Sequence, residues 1–333
     1  MREGTFIDRN VKRWEDIESD AKTDPDEVSS DFIDLMNDLS YAQTHYPHSK
    51  INDYVNSLSS RVYKKIFLHQ KQGKNPFYYF WVRDFPAVLG HNANILWLAT
   101  TSFLAFCILG YICSTLDPSF VEAILGADYV KMTEENIRKG EPFGVYSSTS
   151  PLNMFLRIFS NNLWVGLILF VSGIGLGIGT VYFTFTNGIM VGAFLSLFIA
   201  NSLGTDAVFV IMLHGTFELM GLVLECMAGL ILGLSFIFPG TLTRKQAFYK
   251  GLNESVKIYL GTVPFTVLAA VIESYVTYLG KGGFQNSNIF TMIFLAAIFV
   301  GSWAVVIWYF FIYSKKQAEI YPYAKYLESI VNK

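Results

Sequence analysis

Long uncharged apolar runs separated by short polar intervals fill the chain from residue 95 onward, and a polar region with helical periodicity precedes them. In that first region Phe32, Leu35, Met36 and Leu39 recur at i, i+3, i+4 and i+7, and Val55, Leu58, Val62 and Ile66 repeat the pattern. Such spacing puts each quartet on one helical face. With breaks at Asp24-Pro25 and Pro47, and Ser30 or Asp31 as helix caps, residues 1–75 are expected to form a small cytoplasmic domain of two or three helices.

Residues 76–93 are crowded with aromatics around Arg83 and Asp84. Rings with an apolar face and a polar edge favour the headgroup layer, so this stretch predicts an interfacial elbow helix. About 20 apolar residues cross roughly 30 Å of hydrocarbon. On that rule residues 94–314 form an all-α membrane bundle with six crossings, near 95–116, 163–185, 188–204, 207–238, 258–280 and 289–313. The uncharged run from Ile158 to Thr205 is too long for one crossing, and Thr186-Asn187-Gly188 supplies its expected turn. Residues 117–160 become an extracytoplasmic loop with a helical first part and a flexible link at GEPFGVYSSTSP, and residues 315–333 a cytoplasmic tail.

Composition agrees: 52% of residues are hydrophobic and 16% charged, with mean hydropathy +0.36, whereas soluble domains carry roughly 25% charge. Net charge is −2 without a dense basic block, so no nucleic-acid partner is expected. Membrane lipid is the partner that this composition implies. Basic residues number 12 before residue 90, four between Pro239 and Ile258 and four after Tyr313, against five in the segments assigned outside. That bias places both termini in the cytoplasm. The N-terminal stretch has no apolar core of a signal peptide. Cys107, Cys113 and Cys226 fall inside apolar runs and read as small packing residues.

Candidate chemistry concentrates in the fourth run. At 100° per residue His214, Glu218 and Glu225 lie within about 40° of one another on a helix, so they share a face. An ionisable group in hydrocarbon costs about 2.5–3.5 kcal/mol on insertion scales, which turns this stripe toward protein or enclosed water. His214 and Glu273 lie at similar depth from the outer ends of their runs and are expected to meet, while Asn187 is the expected neighbour of Glu225. The stripe suits cross-helix bonding or a proton or ion pathway, for which Gly215, Gly221 and Pro264 would supply helix interruptions. His and Glu four residues apart can share a metal, but no second such pair or HExxH supplies further ligands, so no metal, cofactor or catalytic residue is expected.

The glycines of GIGLGIG, Gly173, Gly175, Gly177 and Gly179, follow a four-residue spacing that allows close helix packing and do not fit a dinucleotide fingerprint. Asn161-Asn162 reads as a cap at the outer start of the second crossing. Asn161-Asn162, this glycine-rich helix ending at Asn187-Gly188 and Gly192, HGTFEL at His214–Leu219 and IESYVT at Ile272–Thr277 together resemble the stage II sporulation protein M family. The resemblance implies a polytopic helical protein of the bacterial inner membrane without catalysis of its own, similar to a scaffold that gathers peptidoglycan-remodelling enzymes, self-associating and docking envelope proteins on loop 117–160 or the cytoplasmic domain. A proton- or ion-coupled transporter using the His/Glu stripe is the alternative.

Replacing Glu218 by leucine should lower thermal stability in detergent more than Leu222→Ala does. The first removes a polar partner from the stripe, the second only part of an apolar contact. Equal melting temperatures for the two variants would contradict an inward-facing stripe.

Overall fold

The computed structural model describes residues 2–19, 25–71, 75–147 and 150–321, which form helices and no strand. They divide into two units, residues 1–79 and 80–333.

In the first unit α1 (Glu3–Glu18), α2 (Pro25–His45) and α3 (Lys50–Lys71) enclose Phe6, Trp14, Leu35, Leu39, Val55, Leu58 and Val62. The expected faces are the ones buried, although Met36 is exposed and the side chain of Ile66 lies outside the described residues. Helix α2 begins at Pro25, so Ser30 and Asp31 are interior residues and not caps. Proline suits a first turn because its missing N–H has no helical acceptor there. Trp14 Nε1 donates to Asp38 Oδ2 at 2.8 Å. Arg61 and Tyr54 both bond the carboxylate of Glu18, at 2.7 and 2.9 Å, and the Arg61 guanidinium holds that carboxyl below its ordinary range. The first unit also contains α4 (Pro76–Tyr79).

The second unit opens with a π-helical turn, Phe80–Asp84, and α5 (Phe85–His91). The elbow expected here is covered by protein: Phe85, Ala87, Val88 and Leu89 are almost fully buried. Tyr309 and Tyr313 donate to the backbone carbonyls of Trp81 and Val82 at 2.6 and 2.7 Å. Among the described residues six helices are long and apolar enough to cross a membrane: Ala93–Leu116, Pro151–Ile174, Ile178–Ala200, Gly204–Ile237, Arg244–Tyr275 and Ile289–Ile320. They comprise α6 (Ala93–Leu116), α9 (Pro151–Val171), α10 (Ile178–Ala200), α11 (Gly204–Ile237), α12 (Arg244–Tyr275) and α13 (Ile289–Val306). The last of these runs through a π-helical stretch, Ile307–Tyr313, into α14 (Ser314–Ile320). The protein is thus an all-α, polytopic membrane bundle. Large apolar side chains such as Trp97, Ile108, Trp164, Phe290 and Ile293 remain on its outside, as a hydrocarbon solvent permits.

The first, fourth and sixth crossings begin within a few residues of expectation, and the second and third do not. Helix α9 starts at Pro151, so the outer segment ends about ten residues earlier than residue 160. The turn into α10 lies at Gly175–Gly177, and Asn187-Gly188 sits inside a continuous helix. Asn187 satisfies its amide there by donating to the Phe183 carbonyl at 2.8 Å, and Gly188 packs against Phe103 and Phe106 of α6. Gly177, at φ +81°, adopts the left-handed conformation that lets the chain reverse. Helix α12 begins at Arg244, well before residue 258, on a capping box formed by Thr243 and Gln246. It ends at Tyr275, and a 3₁₀ turn, Thr277–Gly280, follows.

The outer segment carries α7 (Ser119–Leu125) and α8 (Ala127–Arg138), separated at Gly126. The stretch read as a flexible link is anchored in its described part. Phe143 is 1% exposed, stacks on Phe198 with ring centres 5.1 Å apart, and donates its N–H to the Lys281 carbonyl at 3.1 Å. Of the cysteines, Cys226 is buried and Cys107 and Cys113 are half-buried.

Helix α11 is the centre of the bundle, buried at most positions from Ala207 to Gly233 and packed on α6, α9, α10, α12 and α13. Its approach to its neighbours is at backbone distance. A Cβ on Gly173 would collide with the Gly229 carbonyl, and one on Gly233 with the backbone nitrogen of Gly177. Gly301 has open space around it. Gly173→Ala should therefore lower the melting temperature of the detergent-solubilised protein, an overpacking cost of about 1–3 kcal/mol. Gly301→Ala should be neutral or slightly stabilising; a Gly173→Ala protein that melts like wild type would refute the close contact.

Candidate functional site

The four titratable residues singled out by periodicity lie on two adjoining helices, His214, Glu218 and Glu225 on α11 and Glu273 near the end of α12. The sequence places all three α11 residues on one face, and the structure turns that face toward α9 and α12. His214 is 3% and Glu225 5% exposed. Glu218 is half-buried, and the side chain of Glu273 retains 14% exposure.

At the upper level of the stripe the expected meeting occurs: His214 Nε2 lies 3.9 Å from Glu273 Oε1. Glu218, one turn along α11, joins them, and one ligand atom from each of the three residues falls within 4.8 Å of the others. The other imidazole nitrogen, Nδ1, is 3.1 Å from Thr277 Oγ1. That hydroxyl donates to the Ile272 carbonyl at 3.2 Å, so its lone pair accepts from Nδ1–H. The hydrogen-bond pattern assigns the tautomer and leaves the Nε2 lone pair facing the carboxylates.

The lower level is separate. Glu225 accepts from Thr262 Oγ1 of α12 at 3.4 Å and presses against Gly166 of α9, where a Cβ would overlap its carboxylate. The sequence expectation paired Glu225 with Asn187; the structure does not bring them together as hydrogen-bond partners, because Asn187 bonds within α10. Asn162 is likewise not a cap. It lies in the middle of α9 with its side-chain amide directed at the Glu218 carboxyl.

The remaining motif residues are structural. Gly215 lies in the buried interior of α11, and Pro264 lies inside α12, which runs unbroken from Arg244 to Tyr275. Gly173 and Gly177 line the contact with α11, Gly179 packs on Ser172, and Gly175 belongs to the turn and has no close interhelical neighbour. They serve the α9–α10 reversal and its docking, whereas mid-helix packing was expected. Gly188 serves the α6 contact.

Sequence reasoning did not single out Thr262 or Glu254, and it did not assign Thr277 a partner. Threonines on a helix carry no periodic signal of their own. Glu254 is 2% exposed and accepts from Asn92 Nδ2 at 3.1 Å. It falls before the apolar run, residues 258–280, that predicts the fifth crossing.

The Gly166–Glu225 contact generates a rescue test. Gly166→Ala should lower the melting temperature by forcing Glu225 off Thr262, and the Gly166→Ala/Glu225→Ala double variant should melt above the single variant. A double variant less stable than Gly166→Ala would show that the glycine does not make room for the carboxylate.

A family model described as stage II sporulation protein M matches residues 99–278, from α6 through the end of α12 and the turn after it. A second, a domain of unknown function (DUF8413), matches residues 4–67. Neither the comparison with curated proteins nor that with solved structures returns a match. The first match spans more than half of the chain and includes every residue of the His/Glu stripe with its neighbours Asn162, Thr262 and Thr277, so the chain belongs to the stage II sporulation protein M family.

Proposed function

We propose that the chain is a non-enzymatic membrane assembly protein that organises cell-envelope proteins, with both termini in the cytoplasm. The observation that carries this reading is the continuity of the central helices. α11 and α12 run for 34 and 32 residues without a break, and α11 meets its neighbours at glycine backbone. Transporters that bind cargo near the midplane commonly interrupt such helices there; here Gly215, Gly221 and Pro264 lie within unbroken helix. A rigid bundle with folded elements outside the apolar spans suits a docking platform. The three-helix N-terminal unit and the α7–α8 pair, which exposes Ile124 and Met132, are the surfaces proposed for partners. The excess of basic residues at the termini and in the first half of α12 supports the orientation. Self-association belongs to the same proposal.

The second reading, ion-coupled transport, is favoured by one observation, the convergence of His214, Glu218 and Glu273. Reconstitution separates the two. Liposomes carrying the full chain should pass protons and monovalent cations no faster than protein-free liposomes, and cross-linking in the membrane should trap a homo-oligomer. A flux that disappears in Glu218→Gln or Glu273→Gln, with membrane level unchanged, would overturn the assembly reading.

A further inference from the structure

We propose that His214 Nε2 and the carboxylates of Glu218 and Glu273 bind one divalent transition-metal cation, of the zinc class, inside the bundle. The proposal goes beyond the assembly role and does not depend on it. Its ground is the convergence of three lone-pair donors in one place: the ligand atoms lie within 4.8 Å of one another. Thr277 fixes the imidazole so that Nε2 presents a lone pair, not a proton, to Glu273.

Two carboxylates and an imidazole lone pair facing each other in an apolar bundle repel unless a positive charge lies among them. Among the described residues no lysine or arginine lies within ion-pair distance of Glu218 or Glu273. Helix α11 itself contains neither residue type. Either protons or a bound cation must supply the compensation, and the convergence of three ligand atoms within 4.8 Å points to the cation.

The ligand set matches the chemistry of the cation. One imidazole and two carboxylates form a mixed nitrogen and oxygen site, which suits zinc, manganese or cobalt better than the all-oxygen cages of calcium. At bond lengths of about 2.1 Å tetrahedral ligands stand about 3.4 Å apart. The 3.9 Å between Nε2 and Glu273 Oε1 reaches that value with a small side-chain adjustment. A metal-bound histidine characteristically donates its other N–H to a neighbouring acceptor, which is the place Thr277 occupies. The metal would tie α11 to α12 with α9 closing the site.

The test uses the full chain in detergent with any affinity tag removed, stripped with a chelator and titrated with Co²⁺ and then Zn²⁺. The expected result is saturable binding of about one ion per chain, visible Co²⁺ absorption that Zn²⁺ displaces, and a higher melting temperature in the metal-bound form. Glu218→Gln and Glu273→Gln should weaken binding about tenfold or more, and Glu225→Gln should leave it unchanged. Thr277→Val should weaken it by about tenfold while the Co²⁺ spectrum keeps its shape. Absence of saturable Co²⁺ and Zn²⁺ binding to wild type overturns the proposal without involving any variant. So does equal binding by a His214→Gln/Glu273→Gln variant, or a loss in Glu225→Gln as large as in Glu273→Gln. A wild-type melting temperature that responds to pH but not to either metal would assign the missing charge to protons and would also overturn it.

Discussion

The constraint that organises the bundle is the cost of leaving a polar group unsatisfied in hydrocarbon. Helix α11 carries His214, Glu218 and Glu225 along its apolar stretch and is buried over most of its length. Surrounding it with five other helices solves both problems at once, since each acid then faces a protein group and not an acyl chain. The neighbours answer chemically as well as sterically. Thr277 takes the imidazole N–H of His214, Thr262 donates to Glu225, and Gly166, lacking a Cβ, leaves room for that carboxylate.

The same constraint accounts for the glycines. Hydrocarbon offers little drive for helices to leave lipid for each other, so association rests on close packing and interhelical polar contacts. Gly173 against Gly229 and Gly177 against Gly233 bring α11 onto the α9–α10 turn at backbone distance. Thr180 reinforces the turn by donating to the Leu169 carbonyl at 2.8 Å. The small-residue surface at the lower end of α11 and the His/Glu cluster at its upper end thus act on one rigid rod. A strain applied at either end has no broken helix through which to dissipate.

How much of this was legible in the chain depended on whether a signal was local. The stripe of His214, Glu218 and Glu225 follows from helical period alone, and Glu273 follows from depth, so their common face was readable before any contact was known. The α9–α10 turn was misread because Asn187-Gly188 is a strong local turn signal. What cancels it is tertiary packing of Gly188 on α6 and an amide satisfied within the helix. The role of the GIGLGIG run was readable only in part. Its capacity for close approach is a property of residue type, but the partner, Gly229, lies far along the chain. Asn162 was misassigned for a related reason: with α9 begun too late, a mid-helix residue looked like a cap.

The N-terminal unit follows different physics. Its core is assembled from amphipathic faces around Trp14 and Leu35, and its ion pair between Arg61 and Glu18 is water-exposed. An exposed pair of this kind contributes little to stability and is screened by salt. Burial, not charge, therefore holds that unit together. The bundle inverts the relation. Its outer surface is apolar without penalty, because the solvent there is lipid, and its few interior polar contacts specify which helix faces meet. In a chain of this design a change from glutamate to glutamine on the surface of the first unit and the same change within the bundle are different perturbations. The first alters a screened charge; the second alters the charge balance of a site that has only other helices to compensate it.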